Sequence, residues 1–139
     1  ENRAGLAIGI CSKAAFEDKD NYCPNGFRKV ESWCVIEGTP AIRKEAKKNC
    51  KEKGGILFTA HTKEMQDGLK NLTLSDSSWI GLNYDENWRW MEIYFTTGFQ
   101  SWVGDKEPND KSGSCAVTNI KKEYNWEAKD CEEMYPYLC

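Results

Sequence analysis

The sequence predicts an α+β domain stapled by disulfides. Three observations point there: seven cysteines in 139 residues, two segments of helical period that both precede residue 75, and a series of short strand-like segments after them. The length suits one domain. Apolar residues at 40% against 29% charged are enough to build a core, which excludes global disorder.

Residues 1–22 carry no sustained period and read as an N-terminal extension or stalk remnant, with the domain spanning 23–139. Cys23-Pro24-Asn25-Gly26 is turn chemistry and opens the domain. Phe27 to Ile36 holds Val30, Trp33, Val35 and Ile36 and predicts short strands. Thr39-Pro40 then reads as a helix start, Thr at the N-cap and Pro in the first helical position. Ile42, Ala46 and Cys50 recur every four residues and share one face. Arg43, Lys47, Lys48 and Lys51 fill the other side. This basic run reads as a solvated helix face rather than a phosphate patch, because Glu45 and Glu52 interrupt it. Gly54-Gly55 ends the helix.

Ile56-Leu57-Phe58 predicts a short buried strand. A second helix starts near Thr62, with Met65, Leu69 and Leu72 on one face. Asn71-Leu72-Thr73 is an N-glycosylation acceptor in a secreted chain. Trp79-Ile80-Gly81-Leu82 and Trp88-Arg89-Trp90 are strand-like. Met91 to Ser114 loses period and gathers Gly, Asp and Asn, so it reads as a long loop region, where binding residues concentrate. Ala116 to Ile120, Tyr124 to Glu127 and Tyr135 to Cys139 complete the strands.

Net charge is −3, which argues against a nucleic-acid partner, and no apolar run approaches the ~20 residues of a membrane span. No intact signal peptide is visible, so the chain reads as a mature or trimmed form. The cysteines at 11, 23, 34, 50, 115, 131 and 139 contain no C-x-x-C, and His61 is the single histidine. Redox pairs and mixed zinc sites are therefore disfavoured, and an oxidised extracellular framework is expected. Six cysteines admit fifteen pairings, and spacing does not choose among them. The odd one is assigned to Cys11, in the least patterned stretch, as a free thiol or a bridge to a second chain giving a disulfide-linked dimer. There is no Gly-rich phosphate loop and no nucleophile elbow, so the chain is read as no enzyme.

Taken in order, Trp79-Ile80-Gly81-Leu82, Trp88-Arg89-Trp90, Glu107-Pro108-Asn109, Trp126 five residues before Cys131, and Tyr135-Pro136-Tyr137-Leu138 before the terminal Cys139 resemble a C-type lectin-like domain of the long form. The resemblance covers about Cys23 to Cys139. It implies two helices flanking short antiparallel sheets with a long loop region, and the disulfides Cys50–Cys139, Cys115–Cys131 and Cys23–Cys34.

In sugar-binding members of that family a calcium ion joins the protein to two sugar hydroxyls, held by side-chain oxygens. Glu107-Pro108-Asn109 resembles the form associated with mannose, glucose and N-acetylglucosamine, usually with a cis bond before the proline. The resemblance makes Glu107, Asn109 and, imperfectly, Glu127 the metal ligands, and Glu107, Asn109, Asp110 and Glu127 the ligand-binding set. Two positions depart from the pattern: Gly113 stands where an acid is usual two residues before Cys115, and Ala128 stands where an Asp is usual after Trp126-Glu127. Asp110 and Glu86 are candidates for a shifted ion, against a merely solvated acidic loop. Lys106, Lys111 or Lys129 is a candidate to place an ammonium where the ion would sit. The reading that results is an extracellular, non-enzymatic recognition module. It binds a protein or glycan through the loop face from about Asn83 to Ala128, with the family calcium site impaired. The alternative is a calcium-dependent lectin acting through Glu107 and Asn109.

Overall fold

In a computed structural model the described residues are 23–72, 74–91, 98–108 and 113–139. The chain opens with a hairpin, β1 (Arg28–Val30) and β2 (Trp33–Val35), paired Lys29 to Cys34. β3 (Glu37–Ala41) leads into α1 (Arg43–Glu52) and α2 (Lys63–Gly68), which continues as a single 3₁₀ turn. Then come β4 (Ser78–Asp85), β5 (Asn87–Trp90), β6 (Cys115–Asn119), β7 (Asn125–Lys129) and β8 (Tyr135–Leu138). The main sheet runs β3-β8-β4-β6-β7, with β5 folded back on the second half of β4. All pairings are antiparallel except β4 with β8, which meet in parallel at Trp79 and Tyr137. The α+β architecture is the one expected.

Alternation along the strands puts the core on two faces. Ile80, Ala116, Trp126 and Leu138 point to one side, toward Met65 and Leu69 of the second helical segment. Trp79, Val117 and Tyr137 point to the other, toward Ala46 and Cys50 of α1. Three disulfides lock this arrangement: Cys50–Cys139 ties α1 to the end of β8, Cys115–Cys131 ties β6 to the turn before β8, and Cys23–Cys34 closes the hairpin.

Three expectations need correction. The first helix does not start at Thr39-Pro40. Those residues lie in β3, which pairs with β8 at Glu37–Leu138, Gly38–Tyr137 and Ala41–Tyr135, and the helix begins at Arg43 after Ile42. The ladder outweighs the local cap signal, and Pro40 is tolerated because β3 is an edge strand whose register shifts between Gly38 and Ala41. Arg43 is not on the solvated side. It precedes Ala46 by three and Cys50 by seven, so the helical period carries it onto the buried face, where it is 6% exposed. Ile56-Leu57-Phe58 is no strand: Leu57 and Phe58 are buried, but their backbone makes isolated bonds, Phe58 N–H to Leu138 O at 2.8 Å and Gly81 N–H to Phe58 O at 2.8 Å. By contrast Thr62 caps α2, its hydroxyl accepting from Met65 N–H at 3.2 Å, and Met65, Leu69 and Leu72 are buried.

Candidate functional site: the long-loop face

The loop face rests on a bed of indoles. Trp102 and Trp126 are 3% and 2% exposed, so they are packing residues and not platforms for a ligand. Their rings meet edge-on at 5.4 Å, Trp88 meets Trp102 at 4.9 Å, and Trp90 meets Trp126 at 5.3 Å. Two of the polar edges are also tied, while the buried Trp102 Nε1 has no partner among the described residues. Trp126 Nε1 donates to Gln66 Oε1 at 2.8 Å, and Gln66 Nε2 donates to Tyr124 O at 2.6 Å. Trp126 N–H donates to Ser101 O at 2.8 Å, which lays the loop along the outer edge of β7. Trp88 Nε1 donates to Pro108 O at 2.8 Å and anchors Pro108, next to Glu107, from below. A loop fixed at both Ser101 and Pro108 presents its rim on rigid supports.

On that rim Glu107 is exposed, and its carboxylate accepts from Gln100 Nε2 at 2.7 Å. No cis peptide bond occurs among the described residues, so Glu107–Pro108 is trans, against the expectation. Asn109, Asp110 and Lys111 lie outside the described residues, as does Cys11 with its proposed interchain bridge. Glu86 is exposed at the β4–β5 turn. Asn71 is exposed at the end of the 3₁₀ turn, while Thr73 of its acceptor motif lies outside the described residues.

Glu127 is committed elsewhere. The β7 pattern buries Trp126 and Ala128 and leaves Asn125, Glu127 and Lys129 on the opposite face. There the Glu127 carboxylate accepts from Asn119 Nδ2 at 2.9 Å and stands 3.7 Å from the Lys129 ammonium. Burial pulls the Lys129 ammonium down, but Tyr135 and Glu127 outweigh it and the net displacement is upward. Among the described residues Glu107 and Glu127 share no hydrogen-bonding partner, and Lys129 serves Glu127 alone of the two.

Gly113 has a steric cause. Its φ is +121°, and a Cβ built there would lie 2.1 Å from Lys129 O and 2.2 Å from the carbonyl carbon. The position usually held by an acid is closed by backbone. Ala128 is 8% exposed and pairs with Ala116 in the ladder, so it too is packed. Among the described residues no group of three or more His, Cys, Asp or Glu is placed to hold a metal ion.

Residue-type reasoning missed Gln66, Asn119, Gln100 and Arg43. Gln66 and Asn119 carry no signal in one sequence, because their partners are 60 and 8 residues away. Arg43 had one: its place in the Ala46–Cys50 period. Its Nη1 donates to Leu82 O and Asn83 Oδ1, each at 3.3 Å, and its Nε has no partner among the described residues.

A doubly faced sheet, three disulfides and an irregular loop face carried on indoles define a binding domain of the lectin type rather than a catalytic cleft. The chain belongs to the Lectin C-type domain family, whose profile matches residues 40–139. That family consists of non-enzymatic lectins and binding proteins. The chain is 27% identical over 147 residues to the Lactose-binding lectin l-2 of Anguilla japonica, a match covering 97% of this chain and 82% of that protein. It is 26% identical to the human C-type mannose receptor 2 over 89% of this chain and 8% of the receptor. In fold it resembles a calcium-independent type II antifreeze protein, with a TM-score of 0.75 at 24% identity over 85% of this chain and 92% of the other. No helix among the described residues is long and apolar enough to cross a membrane.

Proposed function

We propose that this chain is an extracellular recognition module that binds a protein or glycan through the long-loop face without calcium at the family site. The observation that carries the reading is Gly113. A carboxylate there would need a Cβ inside the Lys129 carbonyl. Ala128 removes a second donor, and Glu127 spends its charge on Asn119 and Lys129. Two missing carboxylates and one diverted weaken a hard-cation site severely, because affinity there follows ligand charge and number. Recognition then rests on the exposed rim around Glu107 and on hydrogen bonds from fixed loop backbone. In that setting Asn71 is the glycan acceptor.

A second reading has one observation in its favour: Glu107 is exposed and anchored from Pro108, as a sugar-binding carboxylate must be. One relative is named for lactose, which adds that sugar to the mannose, glucose and N-acetylglucosamine type suggested by Glu107-Pro108-Asn109. Glycan-array binding of the intact chain, with and without a calcium chelator, separates the two. Binding that persists in chelator, or the absence of glycan binding, agrees with the first reading. Glycan binding abolished by chelator and restored by calcium establishes the second.

A further inference from the structure

The outer face of α1 carries Lys44, Lys47, Lys48 and Lys51, all exposed. Their spacing of i, i+3, i+4 and i+7 places them within an arc of about 100° on a helix of 3.6 residues per turn. The arc lies opposite the buried Ala46 and Cys50. Glu45 and Glu52, which interrupt the run in the sequence, both fall along one edge of the stripe and leave it continuous. None of the four ammonium groups takes part in the ion pairs found among the described residues, which are Lys63–Asp67 and Lys129–Glu127.

The helix itself accounts only for Lys51, which lies in the last turn where the dipole favours a cation. Like charges three and four apart on a helix repel. Lys44 sits in the first turn, where the helix dipole opposes a cation. The chain as a whole is acidic, at −3, so the positive face is local. An arrangement that costs stability and gathers unpaired charge fits a partner of opposite sign.

We infer that the lysine stripe of α1 docks an extended sulfated polysaccharide. Lysines are point charges suited to sulfate groups strung along a chain, and the one arginine of α1 is buried. The neighbouring ring, Tyr137, is 3% exposed and lies under Lys53, so it is not offered for stacking a nucleic-acid base. The apolar side chains of α1 are buried, which leaves nothing to insert into a lipid surface. α1 packs on β3 and β8 at one side of the sheet, whereas the long loop lies along β7 at the far edge. The two sites are therefore separate, and both fill at once.

The test is binding of the intact chain to immobilised heparin across a salt series. Four contacts predict that affinity falls roughly tenfold or more for a threefold rise in salt. The variant Lys44→Gln/Lys47→Gln/Lys48→Gln/Lys51→Gln should lose at least about tenfold in affinity with an unchanged circular-dichroism melt, since Gln is a comparable helix former. A control with the same charge change at the exposed Lys63, Lys70, Lys121 and Lys122 should bind as the unaltered chain does. The inference is overturned if the unaltered chain is not retained at low salt, or if both quadruple variants lose binding equally. It is also overturned if single-stranded DNA or phosphatidylserine vesicles compete as well as soluble heparin.

Discussion

Gly113→Glu restores on paper the acid that sugar-binding relatives carry, and the structure predicts that it damages the domain instead. A side chain at φ +121° is strained by on the order of 1–3 kcal/mol. The new Cβ would also meet Lys129 O at 2.1 Å, roughly 1 Å inside ordinary contact. The neighbour cannot yield cheaply, because Lys129 is paired with Cys115 in the ladder and Cys115 is bridged to Cys131. A total near 3–4 kcal/mol follows, which for a domain of this size lowers Tm by roughly 10–15 °C. The assay is thermal unfolding of the unaltered chain, Gly113→Glu and Gly113→Ala, each with excess calcium and with chelator. Alanine should cost nearly as much as glutamate, because the cause is the Cβ and not the charge. A glutamate variant that melts with the unaltered chain and is stabilised by calcium would refute the steric account.

The two long-range disulfides should differ in worth. In the chain-entropy relation, removing Cys50–Cys139 by paired Ser substitutions, a separation of 89, costs about 4–5 kcal/mol, and removing Cys115–Cys131, a separation of 16, costs about 3 kcal/mol; denaturant midpoints in the reverse order contradict this. Arg43 should be replaceable by an apolar residue of similar length. Burial lowers its guanidinium from the ordinary arginine range to about 10, a destabilisation of about 3 kcal/mol wherever the group is charged, relieved only as pH rises through the folded value. Offset by two long hydrogen bonds, Arg43→Met should be neutral or stabilising by up to about 2 kcal/mol at pH 7, whereas Arg43→Ala adds a cavity and should cost about 2 kcal/mol or more. Urea titration of both variants checks this, and a methionine variant weaker than alanine would contradict it.

Periodic apolar positions were legible in the sequence because burial depends on them directly. Met65, Leu69 and Leu72 follow from helical spacing, and the strands around Trp79, Trp90, Val117 and Tyr137 from short runs of strand-forming residues. Thr39-Pro40 misled because a cap signal is local while the β3–β8 ladder is not. Arg43 misled because residue type was weighed above phase. At the site, Glu107 was visible in a motif and Lys129 stood among the candidate ammonium groups, but Gln100 and Asn119 were not visible as partners: they meet Glu107 and Glu127 only in the folded chain. The absent acid at position 113 could be read, but its cause, a carbonyl from β7 seated against the glycine, exists only in three dimensions.

Isothermal titration of calcium into the intact chain tests the central claim most directly. No saturable heat is expected at concentrations that fill extracellular calcium modules, whose Kd values run about 10⁻⁴–10⁻³ M. One equivalent bound within that range, and lost in Glu107→Gln, would show that the loop face holds the ion after all.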